Sequence, residues 1–202
     1  MGRLTSTSRS AGGLSLSTAT GYDVSGRVIS ETAEDGLVTG TSYTNGGRIV
    51  TRTRAGTGTE ITTRYLDGQT YSITGSGVVA RFFDYGTDAN GLWSKESIAA
   101  ENSLRYSTSW RNMNGDTWRN AANSPSGLIV SSTGFDPYKN QVTTRIVPGE
   151  AGILYAYDSD TGELVRQARD LNGNGIIDLA GTDSIEETQT SYVEDGGAWL
   201  RQ

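Results

Sequence analysis

The sequence predicts an all-β chain of antiparallel repeat hairpins forming a spiralling or shell-like sheet, and three observations carry that expectation. Thr (26), Ser (22) and Gly (27) are abundant, whereas Leu, Ile, Val and Phe together number only 38 of 202 residues. Thr, Tyr and Val suit pleated, half-buried surfaces, while Gly and Asn suit the turns between them. The 17 aromatic residues and the modest net charge of -6 argue against a solvated, disordered tail. Third, aromatic-led segments recur at a spacing that fits two short strands and two turns.

The repeated segments are "GYDVSGRVISETAEDG" from Gly21, "SYTNGGRIVTRTRAG", "RYLDGQTYSITGSG" and "RFFDYGTDANG". Their leading aromatics, Tyr22, Tyr43, Tyr65 and Phe83, lie 18 to 22 residues apart. "YAYDSDTGELVRQARD" repeats the pattern at Tyr155 and Tyr157, and "SYVEDGGAWLRQ" echoes it weakly at Tyr192. Each unit reads as a hairpin. In Tyr22-Asp23-Val24-Ser25-Gly26-Arg27, the Asp side chain can hold the turn and the Gly can take a positive φ. The β-branched run that follows leaves the turn as a strand.

These residues resemble the YD-repeat, or rearrangement-hotspot (Rhs), family. Its hallmark is a Tyr-Asp pair, two residues, then Gly-Arg and an apolar residue, as in Tyr22, Asp23, Gly26, Arg27 and Val28. The second unit has Thr44 in place of Asp and keeps Tyr43, Gly47 and Arg48; Tyr65 leads the third. In the last unit Tyr157 and Asp158 are followed by Gly162 with one extra residue, and by Glu163 where Arg would stand. The motifs divide the chain into a flexible N-terminal segment at 1–13 and one β domain at 14–202. Within that domain, repeats are clear at 14–90, strands are degenerate at 91–149, and 150–202 holds a repeat with an inserted Asp/Asn-rich loop.

The resemblance implies architecture. Family members wind hairpins into a long antiparallel spiral that can close into a hollow shell, in several bacterial proteins around a toxic C-terminal domain, and the repeats have been linked to carbohydrate binding. About 200 residues would supply part of such a shell and leave sheet edges needing continuation or a partner. The expected role is therefore a structural segment of a larger secreted or bacterial cell-surface protein. Its partners would be the remaining repeats or a C-terminal cargo domain. The alternative is a carbohydrate-binding surface module.

Several classes fall away. There is no Cys and no His, which excludes disulfides, thiol nucleophiles, Cys/His zinc sites and Ser-His-Asp triads. Negative net charge argues against nucleic acid as a bulk electrostatic partner. The opening residues have no signal-peptide core, and no stretch has the length and apolarity of a membrane helix. Of 17 cations 15 are Arg, which favours bidentate pairing and stacking on rings over a solvated charge cloud. Six carboxylates, Asp84, Asp88, Glu96, Glu101, Asp116 and Asp136, could converge, but no spacing specifies the separation that glycoside hydrolysis needs. The sequence reads as that of a non-enzyme.

Two constellations remain as candidate sites. "DLNGNGIIDLAG" places Asp170, Asn172, Asn174, the Ile176 carbonyl and Asp178 at calcium-loop positions, with Gly175 at the bend. The twelfth position is Gly181 instead of an acid, leaving Asp183 or Glu186 to fold back. The other reading is an Asn-Gly turn joining two strands. Any calcium would be structural. Tyr106, Trp110, Arg111, Trp118 and Arg119 could form an aromatic and guanidinium platform for glycan rings, or fill gaps in a thin core.

Overall fold

A computed structural model describes residues 3–188 and the backbone of 192–195 and 198–201. Strands dominate, as the composition requires. They are β1 Ser6–Ala11, β2 Leu14–Tyr22, β3 Val28–Thr32, β4 Val38–Thr44, β5 Ile49–Arg54, β6 Gly58–Arg64, β7 Thr70–Thr74 and β8 Arg81–Asp88. Then follow β9 Gly91–Ile98, β10 Tyr106–Arg111, β11 Thr117–Ser124, β12 Gly127–Phe135, β13 Val142–Ile146, β14 Gly152–Tyr157, β15 Leu164–Asp170 and β16 Ser184–Glu187. Every strand from β1 to β16 hydrogen-bonds to its sequence neighbour in one 16-stranded order, and the registers determined are antiparallel. A separate pair, β17 Tyr192–Asp195 and β18 Ala198–Arg201, contains the weak echo at Tyr192; Gly196-Gly197 lies outside the described residues.

The chain divides into two compact units, Met1–Tyr85 with Lys95–Tyr106, and Gly86–Ser94 with Ser107–Gln202. This differs from the single domain expected. The β8–β9 hairpin contributes its base to the first unit and its tip to the second. The flexible segment expected at 1–13 is also corrected, because Ser6–Ala11 forms β1 in register with β2 from Ala11↔Leu14 to Ser6↔Ala19. The physical reason is the Gly12-Gly13 turn, both glycines at positive φ (58° and 83°), which closes a hairpin of the twist-matched kind.

Deep burial is scarce. Among the described residues the buried apolar side chains are Ala121, Leu154 and Ala168, and Leu154 stands directly across from Ala168. Thr41, Ser72, Ser97, Thr108 and Asp170 are buried polar residues. Aromatic pairs supply much of the packing that aliphatic residues do not. In the first unit Tyr65 meets Tyr71 edge-on at 5.2 Å and Tyr85 at 6.2 Å, and Tyr71 meets Phe82 at 6.3 Å. Each such pair contributes about 0.5–1.5 kcal/mol beyond its buried area.

Small residues admit these rings. In the second unit a β-carbon at Gly86 would lie 2.5 Å from Trp93 Cζ2, so the missing side chain is the space the indole occupies. Gly86→Ala is therefore expected to destabilise the chain by about 1–3 kcal/mol through overpacking. In a Trp93→Ala background the same substitution should cost much less, read as urea-unfolding midpoints for the four proteins of the cycle.

Candidate functional site

In a meander of consecutive antiparallel strands, alternate turns share an end of the sheet. One end in the first unit carries the turns near Asp23, Asn45 and Tyr65; one end in the second carries those near Asp88, Asn112, Asp136 and Asp158. Successive turn starts are 20 to 24 residues apart, so the period runs unbroken through residues 91–149.

The turn at Asp23 shows how the hallmark works. Asp23 N–H donates to Arg27 O (2.9 Å) and Gly26 N–H donates to Asp23 O (2.8 Å), with Gly26 at φ 78°. The carboxylate accepts Arg27 N–H at Oδ1 (2.8 Å) and the Arg27 guanidinium at Oδ2 (2.7 Å). The strand register shifts by one residue between Gly21 and Tyr22, directly before the turn. This is a three-residue loop with a glycine bulge. The Arg27 guanidinium then lies 4.4 Å above the Tyr43 ring, and the Tyr43 hydroxyl donates to Val28 O (2.9 Å). The motif thus closes one hairpin and clamps the tyrosine of the next.

The same closure recurs with substituted parts. At Asn112 the bonds are Asn112 N–H to Asp116 O and Gly115 N–H to Asn112 O, and Asn112 Oδ1 accepts Asp116 N–H. Asp136 and Asp158 open turns one residue longer, closed to Gln141 O and Glu163 O, with Asn140 (φ 54°) and Gly162 (φ 72°) in the left-handed place. Asp158 Oδ1 accepts from Asp160 N–H, Thr161 N–H and the Thr161 hydroxyl, which replace the Arg contact at Asp23. Register shifts precede these turns too, at Trp110/Arg111, Gly134/Phe135 and Ala156/Tyr157.

These geometries correct parts of the repeat reading. The stretch 91–149 holds turns of full repeat type. Its legible signal is Gly134-Phe135-Asp136, which matches Gly21-Tyr22-Asp23 with Phe for Tyr. Phe83-Asp84 opens no turn: both lie inside β8, and the chain reverses after Asp88. Tyr65 stands one place later than Tyr22, because its own N–H and C=O close the turn (to Gln69 O and from Gly68 N–H) and the register shift falls at Thr63/Arg64. Asp67 supplies the missing carboxylate and accepts Gln69 N–H. At Gly47-Arg48 the turn is a 3-10 one, and the Arg48 guanidinium donates to Arg64 O at 2.9 and 3.0 Å. Tyr22 and Tyr65 hydroxyls donate to Leu4 O and Phe83 O.

Of the platform residues, Tyr106 lies in the first unit and Trp110, Arg111, Trp118 and Arg119 lie in the second. Tyr106 belongs to the first unit, where Lys95 Nζ lies 4.7 Å above its ring. In the second unit Arg119 covers the Trp110 ring at 4.9 Å, the Trp110 indole N–H donates to Asp88 Oδ2 (3.0 Å), and Arg119 Nε is buried without a hydrogen-bond partner. Trp118 instead donates to Asn90 O (3.1 Å) and, with Arg111, Leu92, Met113 and Phe135, lines a groove of 880 Å3 between successive turns. The groove walls are braced by Asn140, which donates to Asp116 Oδ2 (2.6 Å).

The Asp/Asn-rich loop joins β15 to β16 at the opposite end from the Asp158 turn. Buried Asp170 accepts Gly173 and Asn174 N–H at Oδ1 and Gly175 N–H at Oδ2. Asn172 and Asn174 Nδ2 both donate to Asp178 Oδ2 at 2.7 Å. Asp183 accepts Leu171 N–H and Asp178 N–H, while Ile176 N–H donates to Asn174 Oδ1. Among the described residues no group of three or more His, Cys, Asp or Glu side chains is placed to hold a metal ion. The six carboxylates considered for catalysis also have structural partners: Asp84 accepts Tyr85 N–H, Glu96 pairs with Arg81, and Glu101 accepts the Tyr71 hydroxyl. Asp88, Asp116 and Asp136 serve the turns and their neighbours.

The comparisons agree with this architecture. The hairpin closure defines a β-repeat protein, and residues 22–60 match the RHS Repeat family. Nothing among curated proteins matches. A crystal structure of TcdB2-TccC3 without its hypervariable C-terminal region is similar at TM-score 0.57 and 12% identity, over 93% of this chain and 10% of that one. A TcdB2-TccC3-Cdc42 structure covers 91% of this chain and 9% of that one, at 15% identity and TM-score 0.36. This chain therefore spans about a tenth of the solved chains it matches. The fold is all-β and similar to that of the TcdB2-TccC3 structure without its hypervariable C-terminal region.

The turns also set a pH dependence. Arg27 N–H lowers the Asp23 pKa, Gln69 N–H that of Asp67, Lys139 N–H that of Asp136 and Thr161 N–H that of Asp158; the Trp110 indole lowers that of Asp88. A depressed carboxylate stabilises the fold above its unfolded pKa and loses that contribution as pH falls through the folded value. Thermal stability should therefore drop below about pH 4. A triple Asp23→Asn, Asp136→Asn, Asp158→Asn variant should start lower at neutral pH and fall less over that range, measured by melting temperature.

Proposed function

We propose that this chain is a stretch of wall in a larger secreted or bacterial cell-surface Rhs-type protein, walling off or displaying another domain. The supporting observation is the sheet itself: turns of one kind repeat through both units, yet only three apolar side chains are buried among the described residues. A sheet with so little core of its own suits a scaffold extended by further repeats. The partners would be those repeats and a C-terminal cargo domain. TcdB2-TccC3 carries a C-terminal region described as hypervariable, which fits an exchangeable cargo. Among the described residues no helix is long and apolar enough to cross a membrane.

The glycan-binding reading has less support, because Trp110 is already covered by Arg119 and bonded to Asp88. The test uses the parent protein. Its C-terminal domain is expected to resist protease in the intact assembly and to become cleavable when the Asp23, Asp136 and Asp158 turns are opened by substitution. Equal cleavage in both would sink the wall role. Glycan-array binding lost in Trp110→Ala and Trp118→Ala would establish the module instead.

The loop at 170–183 is read as a clasp between β15 and β16 that calcium would complete. Two amide groups already converge on Asp178 Oδ2. Turning the Asn172 and Asn174 oxygens inward would set them beside Asp170, Asp178, Asp183 and the Ile176 carbonyl as hard oxygen donors. Asp170→Ala should cost about 1–3 kcal/mol by stranding three N–H donors. Calcium should raise the melting temperature of the wild type and not that of Asp170→Ala; an unchanged wild-type transition would dismiss the metal and leave the clasp.

A further inference from the structure

We propose that Asn45 is a site of spontaneous backbone modification, selected by its turn from five chemically equivalent candidates. The sequence contains five Asn-Gly pairs, at Asn45, Asn90, Asn114, Asn172 and Asn174. In each, glycine lacks the β-carbon that would hinder its nitrogen from reaching the asparagine Cγ. The reaction needs a free glycine N–H, which must lose its proton, and a side-chain amide free to swing toward it.

Four of the pairs are restrained. Gly115 N–H donates to Asn112 O. Gly173 and Gly175 N–H donate to the Asp170 carboxylate, and the amides of Asn172 and Asn174 are both bonded to Asp178. Asn90 has its side chain on Asp88, its N–H on Asp88 Oδ1 and its C=O held by the Trp118 indole. Asn45 differs. It is exposed, its side chain makes no hydrogen bond, and Gly46 N–H has no acceptor in a turn closed by Arg48 N–H to Asn45 O.

The step needs only water. The deprotonated Gly46 nitrogen bonds to Asn45 Cγ, the Cγ–Nδ2 bond breaks, and ammonia leaves with a proton to give a five-membered succinimide. Water then opens the ring. Cleavage at Cγ yields aspartate; cleavage at the backbone carbonyl yields isoaspartate, with an extra backbone carbon. That carbon would enter a turn whose Asn45, Gly46 and Gly47 all hold positive φ (49°, 68° and 89°) and which fixes the register Thr44↔Ile49. The Arg27 guanidinium borders the same turn, its Nη1 lying 3.6 Å from where a Gly47 β-carbon would stand.

The experiment incubates the intact chain at mildly alkaline pH and measures deamidation at each asparagine by peptide mapping, with isoaspartate distinguished by electron-transfer fragmentation. A parallel sample is unfolded in urea. In the folded chain Asn45 should convert about tenfold or more faster than Asn172 and Asn174, the cost of freeing an N–H bonded to a carboxylate. In urea the rates should become similar. Asn45→Gln should remove the fast phase and leave the slow ones. If Asn172 and Asn174 keep pace with Asn45 in the folded chain, or if the folded and unfolded rankings coincide, the proposal is overturned.

Discussion

A short turn closed by two backbone hydrogen bonds around a left-handed residue is the constraint on which the rest of this structure depends. At Asp23, Asn112, Asp136 and Asp158 the first residue of the turn donates its N–H to the far strand and accepts from the residue held at positive φ. An open sheet with few buried aliphatic side chains cannot take its register from a core. Register is set instead at the turn, where a one-residue bulge and a fixed closure decide which side chains share a face.

Side chains reinforce this closure in a replaceable way. Asp23 binds both the backbone and the guanidinium of Arg27, whereas Asp158 uses Thr161 and Asp136 uses successive N–H groups. The invariant element is an oxygen acceptor facing N–H donors of the loop, and Asn112 meets that need without charge. At the Asp23 turn the Arg also covers the next ring, Arg27 lying over Tyr43. Such exposed pairs are individually weak. Their effect accumulates because each links one hairpin to the next.

Much of the fold was legible because its signals are local. The strands follow from β-branched and aromatic runs between turn residues, and the Gly26-Arg27 hairpin follows from its own six residues. The middle third was harder to read. Arg111-Asn112 and Phe135-Asp136 occupy the places of Tyr22-Asp23; the Phe pair keeps the preceding Gly as a signal, whereas only backbone hydrogen bonding shows that Arg can stand there. Phe83-Asp84 misleads for the converse reason: the pair has the right letters, but no left-handed residue follows at the distance a closed turn requires. The N-terminal strand was hidden by its exposed Ser and Thr side chains, although Gly12-Gly13 marked its turn.

The sequence by itself determined the all-β class, the period and the residues that close the best-formed turns, since these depend on φ preferences and contacts a few residues apart. Tertiary structure decided what the longer-range residues do. Trp110 and Trp118, eight residues apart, are separated by a turn and a bulge, so one is covered by Arg119 and the other lines a groove. Likewise the five Asn-Gly pairs are identical as sequence. Acceptors brought by Asp170, Asp178, Asn112 and Asp88 distinguish them, because hydrogen bonding in the folded chain depends on which strands and loops meet.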